Sequence, residues 1–218
     1  MIFDPLSAPF PRITYVTDAA SVKIEDLWVR VARSVDPVCV LVRDKDLPLE
    51  ARFTLAMEIR LWDATLGSPL TVLFAIPQAS DLEPTLEWAA ELGLDGVHFA
   101  SAAWSAVGAR AARQGLAGAI EQPAWVSVAC HSAHEVELRA LEGADIVFLS
   151  PIFRSPGKGA PLGVVALRNA ARRLAEHAPA TRLVALGGVE PSQVASCFEA
   201  GAHGVASIRH ELSLIADA

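Results

Sequence analysis

Short, almost wholly apolar runs recur along the chain and alternate with stretches of helical periodicity. The clearest runs are Val38–Val42, Leu70–Phe74, Val126–Ala129, Ile146–Leu149 and Leu183–Leu186. Runs of this length are typical of strands that are buried on both faces of a parallel sheet. Between them, apolar residues recur at intervals of three and four, most clearly from Ile24 to Ala32 and from Phe53 to Ala64, which predicts amphipathic helices. The pattern therefore predicts an α/β fold.

A short motif with a helix-ending glycine before a strand occurs three times, at Gly93, Gly143 and Gly201. Successive copies are 50 and 58 residues apart, about twice the length of one strand–helix unit. We predict eight strands, each followed by a helix, at 13–17, 38–42, 70–76, 95–99, 125–130, 145–149, 182–187 and 203–208. Eight such units predict a closed (β/α)8 TIM barrel, a single domain over 13–218 that follows an extended N-terminal arm over 1–12.

An open, doubly wound sheet is the alternative fold. Its glycine-rich fingerprint should follow the first strand, but Asp18-Ala19-Ala20-Ser21 stands there instead. The barrel is therefore favoured.

Composition narrows the classes of partner. The chain has 218 residues and a formal net charge of −7, with 52% hydrophobic residues, which argues against nucleic-acid binding and against disorder. It has no long uncharged apolar run and no secretory pattern, and its three cysteines are far apart, so we expect a cytoplasmic protein without a membrane partner. The tryptophans are either core residues or, where exposed, a homodimer face.

In a TIM barrel the active site is built from the loops that follow the strands, and two of these loops favour phosphate binding. Gly187 and Gly188 follow the seventh predicted strand, and Ile208 and Arg209 follow the eighth. Glycine lets backbone N–H groups approach an anion closely. We therefore expect a small-molecule phosphate ligand here, with a plain tight turn as the alternative.

Three further residues are candidates for chemistry. Arg43 and Lys45 follow the second strand and could bind a phosphate or carboxylate, or they could form surface ion pairs with neighbouring aspartates. His131 closes the fifth strand, where it could transfer protons, or it could only bond a neighbouring carbonyl. We interpret His98, at the end of the fourth strand, as a structural residue in a packed rim.

The loop over 150–163 is long and rich in glycine and proline. Loops of this kind are often lids over active sites, and Lys158, between two glycines, could close over a bound anion. A surface loop without a ligand is the alternative.

Several motifs in this order resemble the family of thiamine phosphate synthases and TenI-type thiazole tautomerases. The motifs run from about Ile13 to Arg209: Ile13-Thr14-Tyr15-Val16-Thr17-Asp18, Val42-Arg43-Asp44-Lys45, Asp95-Gly96-Val97-His98, Ala129-Cys130-His131, Ser150-Pro151-Ile152-Phe153 with Ser155 and Lys158, and Leu186-Gly187-Gly188-Val189. The resemblance implies the same barrel. It also implies a thiazole-phosphate or thiamine-phosphate ligand, with its phosphate on backbone amides at Gly188 and near Ile208 and Arg209, and with Ser155 in the substrate site.

Departures from the family pattern bear on the reaction. The synthase handles Mg²⁺ and pyrophosphate with an Asn-Asp pair and a further aspartate, but Phe74–Pro77 and Ala100–Ala103 stand at those places. The tautomerase needs no metal, and its proton-transferring histidine matches His131. The resemblance therefore implies a metal-independent tautomerase with no cofactor. A synthase that recruits Mg²⁺ through other carboxylates and a non-catalytic binder of the phosphate ligand are the alternatives.

Overall fold

The eight predicted strands form a closed, wholly parallel barrel in which each strand pairs with its neighbours in chain order and β8 closes on β1. The computed structural model describes residues 10–62, 65–66, 70–117 and 124–214. The predicted arm thus lies outside the described residues except for its last three. The strands are β1 (Ile13–Val16), β2 (Val38–Val42), β3 (Leu70–Ile76), β4 (Gly96–Phe99), β5 (Trp125–Cys130), β6 (Ile146–Leu149), β7 (Arg182–Leu186) and β8 (Gly204–Ser207).

Helices follow seven of the strands and surround the barrel. They are α1 (Ile24–Arg33), α2 (Leu49–Leu61), α3 (Leu82–Glu91), α4 (Ala106–Leu116), α5 (Ala133–Leu141), α6 (Gly163–His177) and α7 (Val194–Glu199). Within the described part of the chain, none of these helices is both long enough and apolar enough to cross a membrane.

The prediction of a helix after β8 is wrong for the described residues that follow it, 208–214. The chain instead crosses the outside of the barrel. The buried Leu212 donates its backbone N–H to the Tyr15 hydroxyl over 3.1 Å. Because Tyr15 is itself fully buried in β1, this contact ties the end of the chain to the first strand without a helical turn.

Successive side chains of each strand point alternately into two separate apolar cores, one outside and one inside the barrel. In β4, Val97 and Phe99 point outwards into the layer between the barrel and the helices. His98 points inwards, where it packs edge-on against Phe148 at a ring separation of 5.0 Å. At the amino-terminal end the interior is closed by Phe10, which packs edge-on against Trp125 at 5.5 Å.

The repeated glycine motif is explained by hydrogen bonds at the amino-terminal end of the barrel. The residue two positions after each glycine accepts a backbone N–H from the preceding strand: Asp95 from Val72 over 2.8 Å, Asp145 from Val126 over 2.8 Å, and His203 from Leu183 over 3.0 Å. An acceptor at this place satisfies an N–H group at the start of the strand. Each copy of the motif thus links an even-numbered strand to the odd-numbered strand before it.

His203 differs from the two aspartates because it accepts only while neutral. Burial lowers the pKa of His203, and the charge of Arg182 lowers this pKa further. The unfolded chain therefore takes up a proton at higher pH than the folded chain does. This contribution to stability is complete above the unfolded pKa of about 6.5 and is lost as the pH falls through the lower folded pKa.

We predict that His203→Asp removes this dependence on pH, because aspartate keeps an acceptor as the other two copies of the motif do. The decrease in the free energy of unfolding between about pH 7 and pH 5 should be smaller in the variant by about 1 kcal/mol, the net contribution of one hydrogen bond. Urea unfolding at both pH values measures it. His134→Asp, which makes the same change at an exposed position of α5, is the control. An equal decrease in H203D and the wild type would contradict the prediction.

Candidate functional site

Two adjoining cavities open at the carboxyl ends of the strands. The larger has a volume of about 470 Å³ and is lined by seven of the nine predicted site residues: Arg43, Lys45, His131, Ser155, Lys158, Gly187 and Ile208. The smaller, of about 210 Å³, is lined by the other two, Gly188 and Arg209. Ser155, Gly187 and Ile208 line both cavities. The structure thus brings all nine residues together, while their roles remain predictions.

Gly187 and Gly188 form the floor on which the loop after β6 rests. Both have left-handed backbone angles, with φ of +93° and +67°. A Cβ atom on Gly187 would lie 2.7 Å from Pro151 Cα, and one on Gly188 would lie 2.3 Å from the Arg154 carbonyl oxygen. Only glycine allows this close approach together with these backbone angles. The loop is held by two backbone bonds, from Ile152 N–H to Leu186 O over 2.9 Å and from Phe153 N–H to Gly187 O over 2.8 Å.

Three residues that line the smaller cavity have backbone N–H groups without acceptors among the described residues. The N–H groups of Gly188, Ile208 and Arg209 make no hydrogen bond to any described residue. The N–H groups of two further residues that line this cavity are satisfied, since Glu190 donates to Gln193 Oε1 and His210 donates to Ser207 Oγ, each over 3.0 Å. Several free N–H groups around one cavity are suited to an anion with several oxygens, such as a phosphate.

His131 lies at the rim of the larger cavity with its tautomer set by its surroundings. Its Nδ1 lies 3.0 Å from the carbonyl oxygen of Ser150. Because a carbonyl only accepts, Nδ1 must carry the hydrogen, and Nε2 of the neutral ring is left as a base. Its backbone N–H donates to Glu135 Oε2 over 2.7 Å. A hydrogen bond to a neighbouring carbonyl and a role in proton transfer are therefore compatible, because the bond at Nδ1 leaves Nε2 as the base.

Three cations face the larger cavity of this acidic protein. Arg43, Lys45 and Lys158 line it, and Arg43 Nε is a buried donor without a hydrogen-bond partner. Burial lowers the pKa of Lys45, and the charges of Arg43 and Lys158 lower it further. Burial likewise lowers the pKa of Arg43. An anionic ligand would reduce the repulsion between these cations and would replace the water that burial removes from Arg43 and Lys45.

The aspartates next to these cations do not neutralise them directly. Asp44 accepts the Thr17 hydroxyl and the Ala19 N–H, the latter over 2.6 Å. Arg43 and Lys45 form no ion pair with any described residue. The alternative interpretation as surface ion pairs is therefore not what the geometry shows.

His98 also lines the larger cavity, although its sequence neighbours indicated a packed rim. It is only 4% exposed, and its Nδ1 lies 2.9 Å from Ser127 Oγ. Burial lowers the pKa of His98 to about 3, with Arg43 and Lys45 as further causes. The signal that could have identified it is the strand period, which places His98 inside the barrel because Val97 and Phe99 point outwards.

The wall formed by the ends of β3 and β4 is largely apolar. Ala75, Ile76, Pro77, Ala100 and Ala102 lie there, together with Ser101, whose hydroxyl donates to Glu135. No aspartate or glutamate among the described residues lines the larger cavity, and these residues contain no cluster of histidine, cysteine or carboxylate side chains suited to a metal. Mg²⁺ requires several oxygen ligands, so this wall does not fit a Mg²⁺–diphosphate site.

Comparisons with known proteins agree with this architecture. Residues 13–210 match the model of a family described as thiamine monophosphate synthase. A thiamine-phosphate synthase of Methanoculleus marisnigri is 33% identical over 183 residues, 82% of this chain and 76% of that protein. A Geobacter sulfurreducens protein whose name, thiamine-phosphate synthase, is provisional is 29% identical over 182 residues, 82% of this chain and 74% of that protein. Thiamine phosphate pyrophosphorylase from Pyrococcus furiosus superposes with a TM-score of 0.68 at 14% identity, covering 90% and 85% of the two chains, and supports the fold alone.

We predict that Gly188→Ala weakens binding of thiazole phosphate at least tenfold. The added Cβ would meet the Arg154 carbonyl at 2.3 Å and force the loop and the free N–H groups apart, at a cost of about 1–3 kcal/mol. Gly159→Ala is the matched control, because a Cβ there meets nothing within 4 Å. Calorimetric titration of both variants checks this. Unchanged affinity in G188A would show that the phosphate does not bind to the N–H groups around Gly188.

Proposed function

Because the chain belongs to the thiamine monophosphate synthase family, we propose that it is a thiazole tautomerase of the TenI type. In this proposal the protein isomerises a thiazole carboxylate phosphate by moving a proton, without a metal ion or other cofactor. The observation that carries it is His131, held as the Nδ1–H tautomer by Ser150 O at the rim of a cavity that no described carboxylate lines.

The phosphate of the substrate would occupy the smaller cavity. The free N–H groups of Gly188, Ile208 and Arg209 would donate to its oxygens. Ser155 lines both cavities, so its hydroxyl can reach the link between phosphate and ring. This anchor leaves the ring in the larger cavity beside His131.

The reaction would need one base and a stabilised negative charge. His131 Nε2 takes a proton as a C–H bond of the ring breaks, and the electron pair moves into the conjugated ring and carboxylate. The same nitrogen returns the proton to another carbon of the conjugated system, so atoms and charge balance. Arg43, Lys45 and Lys158 would bind the carboxylate and stabilise the charge that develops on it.

The second candidate is the synthase reaction, and the names of the relatives favour it. That reaction expels pyrophosphate with the help of Mg²⁺. The apolar wall at Ala75, Pro77 and Ala100 offers the metal no carboxylate, whereas proton transfer by His131 requires none. The lining therefore supports the tautomerase.

We predict that His131→Asn lowers turnover of the thiazole carboxylate phosphate at least 100-fold, the usual contribution of a general base. The asparagine amide keeps an N–H group for Ser150 O but has no basic nitrogen, so binding of thiazole phosphate should change by less than about threefold. Chromatographic detection of the two tautomers and calorimetry measure the two quantities. His134→Asn, an exposed histidine outside both cavities, is the control. Full activity of H131N would remove His131 from the mechanism.

We also predict that Mg²⁺ and pyrophosphate do not strengthen the binding of thiazole phosphate, because no described carboxylate lines the cavity to hold the metal. Calorimetric titrations with and without both additives measure this affinity. Binding strengthened by the additives, together with formation of thiamine phosphate from pyrimidine pyrophosphate and thiazole phosphate, would identify a synthase. Binding without turnover in either assay would identify a non-catalytic binder.

A further inference from the structure

His98 is the buried ionisable residue of the cavity floor, and the proposed proton transfer does not use it. It lines the larger cavity while only 4% of its surface is exposed. Its ring makes a T-shaped contact with the Phe148 ring at a centroid separation of 5.0 Å. A histidine placed inside the barrel, rather than at its rim, requires a specific hydrogen-bonding arrangement.

That arrangement fixes which nitrogen carries the proton. The Ser127 hydroxyl donates its one hydrogen to Val97 O over 3.0 Å. Ser127 Oγ can therefore only accept from His98, and His98 Nδ1, at 2.9 Å, must be the donor. Burial and the cations Arg43 and Lys45 hold the pKa of His98 at about 3, so the ring stays neutral at physiological pH.

His98 Nε2 is consequently an acceptor without a donor. Nε2 has no hydrogen-bond partner among the described residues. It is also not among the unpaired side-chain atoms that are fully shielded from solvent. It therefore contacts the cavity. A buried acceptor that meets a ligand without a donor loses its bond to water and gains nothing in return.

Ala75 of β3 is the register partner of His98, and most of the wall beside it is apolar. Ala75, Ile76 and Ala100 belong to the wall at the ends of β3 and β4, and they have neither charge nor hydrogen-bonding side chains. The cations stand on the same cavity but on the loops after β2 and β6. The cavity thus has a charged part and an uncharged part.

We propose that His98 Nε2 and the wall of Ala75, Ile76 and Ala100 form a subsite for an uncharged, apolar group that carries one N–H or O–H donor. The subsite selects against cations, because Arg43 and Lys45 repel them, and against anions, because the unprotonated Nε2 offers them no hydrogen. It selects against groups without a donor, because they leave Nε2 unsatisfied. It is a binding subsite and not a source of protons.

The proposal is independent of the reaction at His131. A ligand group in this subsite would be held whether the protein is a tautomerase, a synthase or a binder. Loss of activity in H131N and loss of selectivity at His98 are therefore separate results.

Indole and 1-methylindole are matched probes, since both are uncharged, apolar and small enough for a cavity of about 470 Å³, and only indole has an N–H donor. We expect the wild type, with inorganic phosphate present, to bind indole about tenfold more tightly than 1-methylindole, the usual effect of one hydrogen bond to a buried acceptor. Ligand-observed NMR measures both affinities. Equal affinities, or no binding of indole at millimolar concentration, would overturn the proposal.

Two variants separate the acceptor from general packing. His98→Leu removes the acceptor and should bind the two probes equally. His98→Gln retains an acceptor oxygen and a donor for Ser127, and should keep the preference for indole. His131→Asn should keep it as well. Equal selectivity in H98L and the wild type would overturn the proposal.

A spectroscopic measurement tests the proposal in the unaltered protein. Long-range ¹H–¹⁵N spectra should show His98 as the neutral Nδ1–H tautomer from about pH 5 to pH 8. Indole, but not 1-methylindole, should shift the Nε2 resonance. A protonated Nε2 in this range would overturn the proposal, because the subsite would then present a donor.

Discussion

The contact between the loop after β6 and the glycine pair after β7 is the constraint on which both cavities depend. The loop backbone lies so close to Gly187 and Gly188 that a Cβ atom on either residue would overlap Pro151 or Arg154. This approach places Ser155 and Lys158 over the barrel mouth. It also separates the donor-lined cavity from the larger one while leaving them joined along Ser155, Gly187 and Ile208.

Positive charge is concentrated at the larger cavity, although the net charge of the protein is negative. The protein carries a formal charge of −7, yet Arg43, Lys45 and Lys158 face one cavity that no described carboxylate lines. Asp44, the acidic residue between Arg43 and Lys45, is occupied by Thr17 and Ala19. An anionic ligand is therefore attracted to the cavity by these three cations. The negative net charge of the protein repels the same ligand from the rest of the surface.

The fold was predictable because each level of the sequence agreed with the next: apolar strand runs, helical periodicity and the glycine repeat all led to eight units. The position of the nine candidate residues around two adjoining cavities also followed, since the loops after the strands form the mouth of a barrel, while their roles stay predictions. Two features were not predictable. The segment after β8 depends on a contact between Leu212 and Tyr15, almost the whole chain apart. The free Nε2 of His98 depends on the hydroxyl of Ser127 in the next strand, and no local pattern reports such pairing.

The hydrogen bonds of Asp95, Asp145 and His203 lie at the opposite end of the barrel from both cavities. Each joins one pair of neighbouring strands, so three of the eight neighbouring pairs in the barrel, β3–β4, β5–β6 and β7–β8, have such a hydrogen bond. Stability and chemistry are thereby assigned to opposite ends of the same strands. Residues at the mouth can therefore be exchanged without loss of the hydrogen bonds that hold these strands together. A new reaction can thus evolve at the mouth of this barrel without loss of the interactions that stabilise the fold.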